Sequence, residues 1–208
     1  MSNKPRQSTA IPVYQSLFLP AYWRGAAKQY TVLHIIAIVG MLIALDIAIS
    51  SLFIPVGDNL RIKFDFLSRA VIGMVGGPLL ALSSGALVDL LGYIVHPSGA
   101  YFPGYTISAM LGSLVYALFF YRSKINIVRI VLAKLTVNAF VNVLLGSVWS
   151  TMIGKHGYLY YISSSAVKNA IMLPIECMML YALFSALMPV LARLKLVPKP
   201  EKKYIPFI

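Results

Sequence analysis

Residues 60–69 read L-R-I-K-F-D-F-L-S-R, residues 76–78 G-G-P, residues 85–92 G-A-L-V-D-L-L-G and residues 96–106 H-P-S-G-A-Y-F-P-G-Y-T. Short apolar segments alternate there with glycine and proline breaks, several charges and an aromatic loop. A plain membrane anchor has no use for that mixture. It predicts the mouth of a small-molecule site, held in place by the rest of the chain.

The rest of the chain is apolar enough to lie in a membrane. Of 208 residues, 59% are hydrophobic and 12% charged, and the mean hydropathy is +0.80. A soluble domain carries about 25% charged residues. The length accommodates about six spans of roughly 20 residues each. The expected fold is therefore an all-α integral membrane protein, a bundle of six transmembrane helices. Its spans are expected at residues 31–54, 66–76, 79–95, 106–121, 127–152 and 166–191. Pro55 and Gly57 end the first span, and Gly77-Pro78 separates the second from the third. Residues 58–65 are expected as a polar loop and 154–165 as a tyrosine-rich loop. Residues 1–30 form a cytoplasmic N-terminal segment, 31–192 the membrane domain with an external site, and 193–208 a basic cytoplasmic tail. Residues 1–28 are polar and do not read as a cleaved leader.

The formal net charge is +12, but its distribution argues for membrane orientation rather than nucleic acid. Four basic residues precede the first span, three follow the fourth (Arg122, Lys124, Arg129) and five lie in the tail. Six spans put these twelve on one side, the cytoplasmic side of a bacterial cell membrane. Lys134 is expected to snorkel to that side. Arg61, Lys63 and Arg69 cluster on the opposite side, against this trend, beside Asp58 and Asp65. An extended chain would point Arg61, Lys63 and Asp65 to one side. The plain alternative is a solvated loop; the sharper reading is recognition of a carboxylate. Cys177, the single cysteine, cannot form an internal disulfide.

Asp46, Asp89, Lys168 and Glu176 lie in or at the ends of apolar spans, where ionisable groups face a cavity or one another. Asp89, one to two turns from the external mouth, is the better ligand candidate; Asp46 and Glu176 fit a structural pair as well. Lys134, Asn138, Asn142 and Gly146 recur every fourth residue, with Trp149 near the outer end of the span. That face either glues helices together or hydrogen-bonds a polar heterocycle with Trp149 stacked above. Tyr101, Phe102, Pro103 and Gly104 make a rigid aromatic wall suited to a flat ligand, although interfacial aromatics are also common. Gly40, Ala44 and Ala48 form a small-residue ladder, suited to internal packing or to docking a partner helix. The chain contains no P-loop sequence and no H-E-x-x-H, and a catalytic triad cannot be assembled from its three scattered histidines.

These blocks, with K-N-A-I-M-L-P-I-E at 168–176 and A-L-D-I-A at 44–48, resemble the substrate-binding S components of energy-coupling-factor vitamin transporters. The folate-specific members are the most similar. Those members often have N-T-x-W late in the fifth span and an arginine three residues before the K-N pair. Here residues 146–149 read G-S-V-W, and Ser165 stands at the second position. The resemblance implies a vitamin site that also includes Lys168 and Asn169, and docking through Ala44 and Ala48. It further implies partners: one membrane coupling subunit and two ATPase subunits. No cofactor is then expected in this chain, ATP being used by the partners. Pantothenate or another small vitamin stays open as the substrate. A membrane-embedded enzyme, which would turn its ligand over, and a structural subunit, which would bind none, are the competing classes.

Overall fold

The computed structural model describes residues 20–50, 53–57, 60–97, 100–198 and 205–206; of residues 53–57 and 60–62 it describes the backbone alone. Residues 1–19, half of the basic tail (199–204 and 207–208) and the Arg61 side chain lie outside the described residues. Helix α1 (Pro20–Lys28) leads through a short 3₁₀ turn into α2 (Leu33–Ser50). An antiparallel hairpin follows, β1 (Phe53–Gly57) and β2 (Leu60–Lys63), then α3 (Asp65–Val95) and α4 (Pro103–Phe120). Next come α5 (Ile127–Thr136), a π-helical segment (Val137–Leu145) and α6 (Gly146–Ile153), which run on as one rod. Helix α7 (Tyr158–Arg193) closes the chain.

Five stretches are long and apolar enough to cross a membrane. One of them, α3, crosses twice. Gly77 has φ +78° and ψ 179°, outside helical geometry and in the range that favours glycine. Contacts with α4 follow the reversal. Gly73 lies against Ala117 and Gly77 against the Tyr121 ring, whereas Gly85 lies against Ala109 and Met110. Farther on, Asp89 accepts a hydrogen bond from Thr106. The chain thus descends to the Tyr121 level and climbs back, so residues 65–76 and 78–95 are separate antiparallel arms. The bundle has six spans.

Both ends of the described chain gather at the Tyr121 level. Tyr22 of α1 is buried edge-on against Tyr121 at 5.5 Å. Burial pushes its phenol well above the usual tyrosine range. Gln29 Nε2 donates to the Tyr121 hydroxyl at 3.1 Å. Ile127 N–H donates to the Pro206 carbonyl at 3.0 Å. Asn126 caps α5 by accepting from the Arg129 N–H at 2.8 Å. The core between the arms is aliphatic and aromatic: Ile35, Val39 and Ile43 of α2, Val71 and Met74 of α3, and Phe120 against Phe184.

Several boundaries differ from the sequence expectation. The first span stops at Ser50, and residues expected as helix end and polar loop form the hairpin, with Phe53 opposite Lys63 and Pro55 opposite Arg61. Strand alternation covers 60–63 only, because Asp65 already begins α3. The expected loop 154–165 is helical from Tyr158, so α7 has 36 residues and extends beyond a single membrane crossing. Lys134 does not snorkel. It is 2% exposed and points into the bundle, where Glu176 and the Phe66 ring receive its ammonium.

Candidate ligand-binding site

At the end of the bundle opposite Tyr121, the α4 N-terminus organises an aromatic mouth. Phe102 is extended (φ −128°, ψ 115°) and Pro103 occupies the first turn, which fixes the entry of the chain into α4. The Phe102 ring then meets Trp149 of α6 at 5.7 Å and Tyr105 at 5.8 Å. Gly104 makes this closure feasible: a Cβ there would overlap Phe102 and lie 2.7 Å from Trp149 Cδ2. Trp149 Nε1 donates to Ser108 Oγ at 3.0 Å, which fixes the indole. Thr106 Oγ1 donates to Asp89 Oδ2 at 2.6 Å and pairs with the Tyr101 hydroxyl at 2.6 Å. Tyr101 packs against Tyr93 at 5.4 Å.

Below the mouth, a polar chain links the rod to α7. Lys134 Nζ lies 3.1 Å from Glu176 Oε1 and donates to the Tyr116 hydroxyl at 3.4 Å. Asn138 Nδ2 donates to Glu176 Oε2 at 2.9 Å. Asn142 Nδ2 donates to Asn138 Oδ1 at 3.0 Å and to Asn169 Oδ1 at 3.3 Å. Asn169 Nδ2 donates to the Ser165 carbonyl at 2.8 Å. The π-helical segment keeps the amides aligned. In an α-helix four residues overshoot a full turn by about 40°, and the wider turn of a π-helix offsets that drift.

A second charged group lies between α2 and α3. Arg69 Nη2 is 2.9 Å from Asp65 Oδ2, and Arg69 Nε is 3.6 Å from Asp46 Oδ2. Asp46 is fully buried.

No family model matches the chain. Among curated proteins it is similar to a folate transporter FolT of Clostridium novyi, with 38% identity over 59% of this chain and 71% of that protein. It is also similar to a folate transporter FolT of Leuconostoc mesenteroides, with 32% identity over 71% of this chain and 83% of that protein. Among solved structures it matches a crystal structure of FolT bound with folic acid. The TM-score is 0.64 at 32% identity, covering 71% of this chain and 89% of that one. The chain belongs to the FolT family. It is an energy-coupling-factor S component with the six-helix membrane fold of that class.

Within this FolT-family fold, the candidate residues fall into three groups. Asp89, Tyr101, Phe102, Pro103, Gly104 and Trp149 converge on the mouth. Asn138, Asn142 and Asn169 converge on the polar chain. Lys63 is exposed at the end of β2, Lys168 is half-buried on α7, and Arg69 is held by two carboxylates rather than projecting freely. Gly40, Ala44 and Ala48 are all exposed, and nothing lies within 4 Å of a Cβ built on Gly40. The ladder therefore faces outward, which removes the internal-packing reading. Sequence reasoning missed Thr106, Ser108 and the Lys134–Glu176 pair. A charge of each sign inside apolar spans was the available signal for that pair, but their separation by 42 positions hides the contact.

Proposed function

We infer that this chain takes up folate by binding its pterin ring between the aromatic mouth and the asparagine chain. It acts as the substrate-binding subunit of an importer rather than as an enzyme. The observation that carries the reading is the likeness to FolT crystallised with folic acid, over 71% of this chain. The local chemistry supports it. Phe102 and Trp149 offer flat apolar faces, and Asn142 offers hydrogen bonds beneath them. Lys63 and Arg61, in the hairpin at the same end, are the cations proposed for the anionic tail of folate. A charge-assisted hydrogen bond of this kind contributes about 1.5–3 kcal/mol.

The outward stripe of Gly40, Ala44 and Ala48 is proposed to dock on a membrane coupling subunit carrying two ATPases. The mouth then opens to the exterior of a bacterial cell, with both termini in the cytoplasm. The test is calorimetric titration of the purified protein in detergent, without ATP. Saturable binding of folic acid, recovered unchanged, is expected. Saturable binding of pantothenate with no heat from folic acid would overturn the assignment.

A further inference from the structure

The polar chain has a direction, and both of its anchors set the same one. Glu176, paired with Lys134, accepts at its carboxylate, so Asn138 must turn its Nδ2 toward Glu176 and its Oδ1 toward Asn142. The Ser165 carbonyl can only accept as well, so Asn169 turns its Nδ2 toward that carbonyl and its Oδ1 toward Asn142. Asn142 therefore meets two oxygens. It gives them both hydrogens of its Nδ2, at 3.0 and 3.3 Å. What remains is its Oδ1, an acceptor that takes no hydrogen bond from the described residues. Asn142 is exposed. It lies seven positions before Trp149 on the same rod.

We propose that Lys134 and Glu176 are positioning residues for specificity: through Asn138 they fix Asn142 as a hydrogen-bond acceptor, so the site selects a ring that presents an N–H donor. This rests on the folate reading above and deepens it, since a pterin carries such donors at its 2-amino group and at N3. Neither ion touches the ligand. The ion pair, an expensive feature inside apolar helices, sets the polarity of an amide two helical turns away. Asn169 gives the relay its second fixed end.

The test uses Glu176→Gln in the full chain. Lys134 draws the amide oxygen of the new glutamine, which leaves the amide nitrogen facing Asn138. Asn138 must then reverse and donate to Asn142 Oδ1, consuming the acceptor. Three probes are titrated by calorimetry: folic acid, its 2-desamino analogue and its N3-methyl analogue. Folic acid is expected to bind about tenfold to a hundredfold more weakly to Glu176→Gln, the cost of an unmet buried partner. The analogue that lacks the relevant donor should bind wild type and variant alike.

Asn142→Ala, at an exposed position, gives the same pattern without disturbing the ion pair and serves if Glu176→Gln does not fold. An equal loss for all three probes would reduce the pair to a structural role and overturn the proposal. So would unchanged folic acid affinity in a folded variant. Failure of folic acid to bind the wild type would instead overturn the folate reading itself.

Discussion

The bundle holds two charged clusters built from similar residues, and they end differently. Between α2 and α3, Arg69 is shared by Asp46 and Asp65, so one guanidinium faces two carboxylates. Between the rod and α7, Lys134 and Glu176 form a pair that continues into Asn138 and Asn142. The first cluster leaves Asp46 Oδ1, deep inside the bundle, without a hydrogen bond from the described residues; the second leads to an open acceptor on an exposed residue. Identical chemistry can thus brace helices or prepare a ligand contact. What separates the cases is whether the acceptor left open is buried or exposed.

The largest expected effect comes from breaking the buried cluster between α2 and α3. Arg69→Met leaves Asp46 fully buried without its cation, which should cost about 3–5 kcal/mol of stability. Thermal unfolding in detergent reads this directly. Adding Asp46→Leu to the same variant should restore part of the loss, because the fully buried carboxylate is removed while Asp65 still lacks its cation. A single variant as stable as the wild type would show that the cluster braces nothing.

Next in size is the mouth. Gly104→Ala forces a methyl group into the Phe102 and Trp149 rings, with an expected cost of about 1–3 kcal/mol. It should appear as weaker folic acid binding in the same calorimetric titration. Ser108→Ala is milder. It removes only the acceptor of the indole N–H, and affinity should fall by about 0.5–1.5 kcal/mol. A larger loss from Ser108→Ala than from Gly104→Ala would mean that the hydroxyl itself meets the ligand.

The smallest effect on folding and binding is expected on the outward face of α2. Ala44→Trp with Ala48→Trp should change stability and folic acid affinity by less than about 0.5 kcal/mol, since both residues are exposed. Uptake by vesicles that also contain the coupling module should be abolished. Loss of binding together with uptake would place the stripe in the site rather than on a docking surface.

Much of this was legible in the sequence, for local reasons. G-G-P at 76–78 marks the reversal because glycine tolerates Gly77's backbone angles and proline resists continuing the helix. Y-F-P-G at 101–104 reads as a rigid aromatic turn for similar reasons. The misplacement of Lys134 has a different origin. A lysine two turns into an apolar span has a snorkelling route as good as a pairing route, and only the position of Glu176 on a distant helix decides between them. Arg69 is the same case, because nothing local says that Asp46 faces it. The early start of α7 was hidden by Gly154 and Gly157, which read as loop residues. Gly157 in fact stands immediately before the helix, as its N-cap.

The central claim is that the ligand sits against Trp149, and the two tryptophans allow that to be measured. Trp23 lies in α1 at the opposite end of the bundle from Trp149. Trp23→Phe leaves Trp149 as the single fluorophore. Folic acid added to this variant should quench its emission saturably, at the concentrations at which calorimetry records binding, while Trp149→Phe should show no saturable change. Undiminished Trp149 emission on a protein that calorimetry shows to be loaded would place the ligand elsewhere and contradict the account.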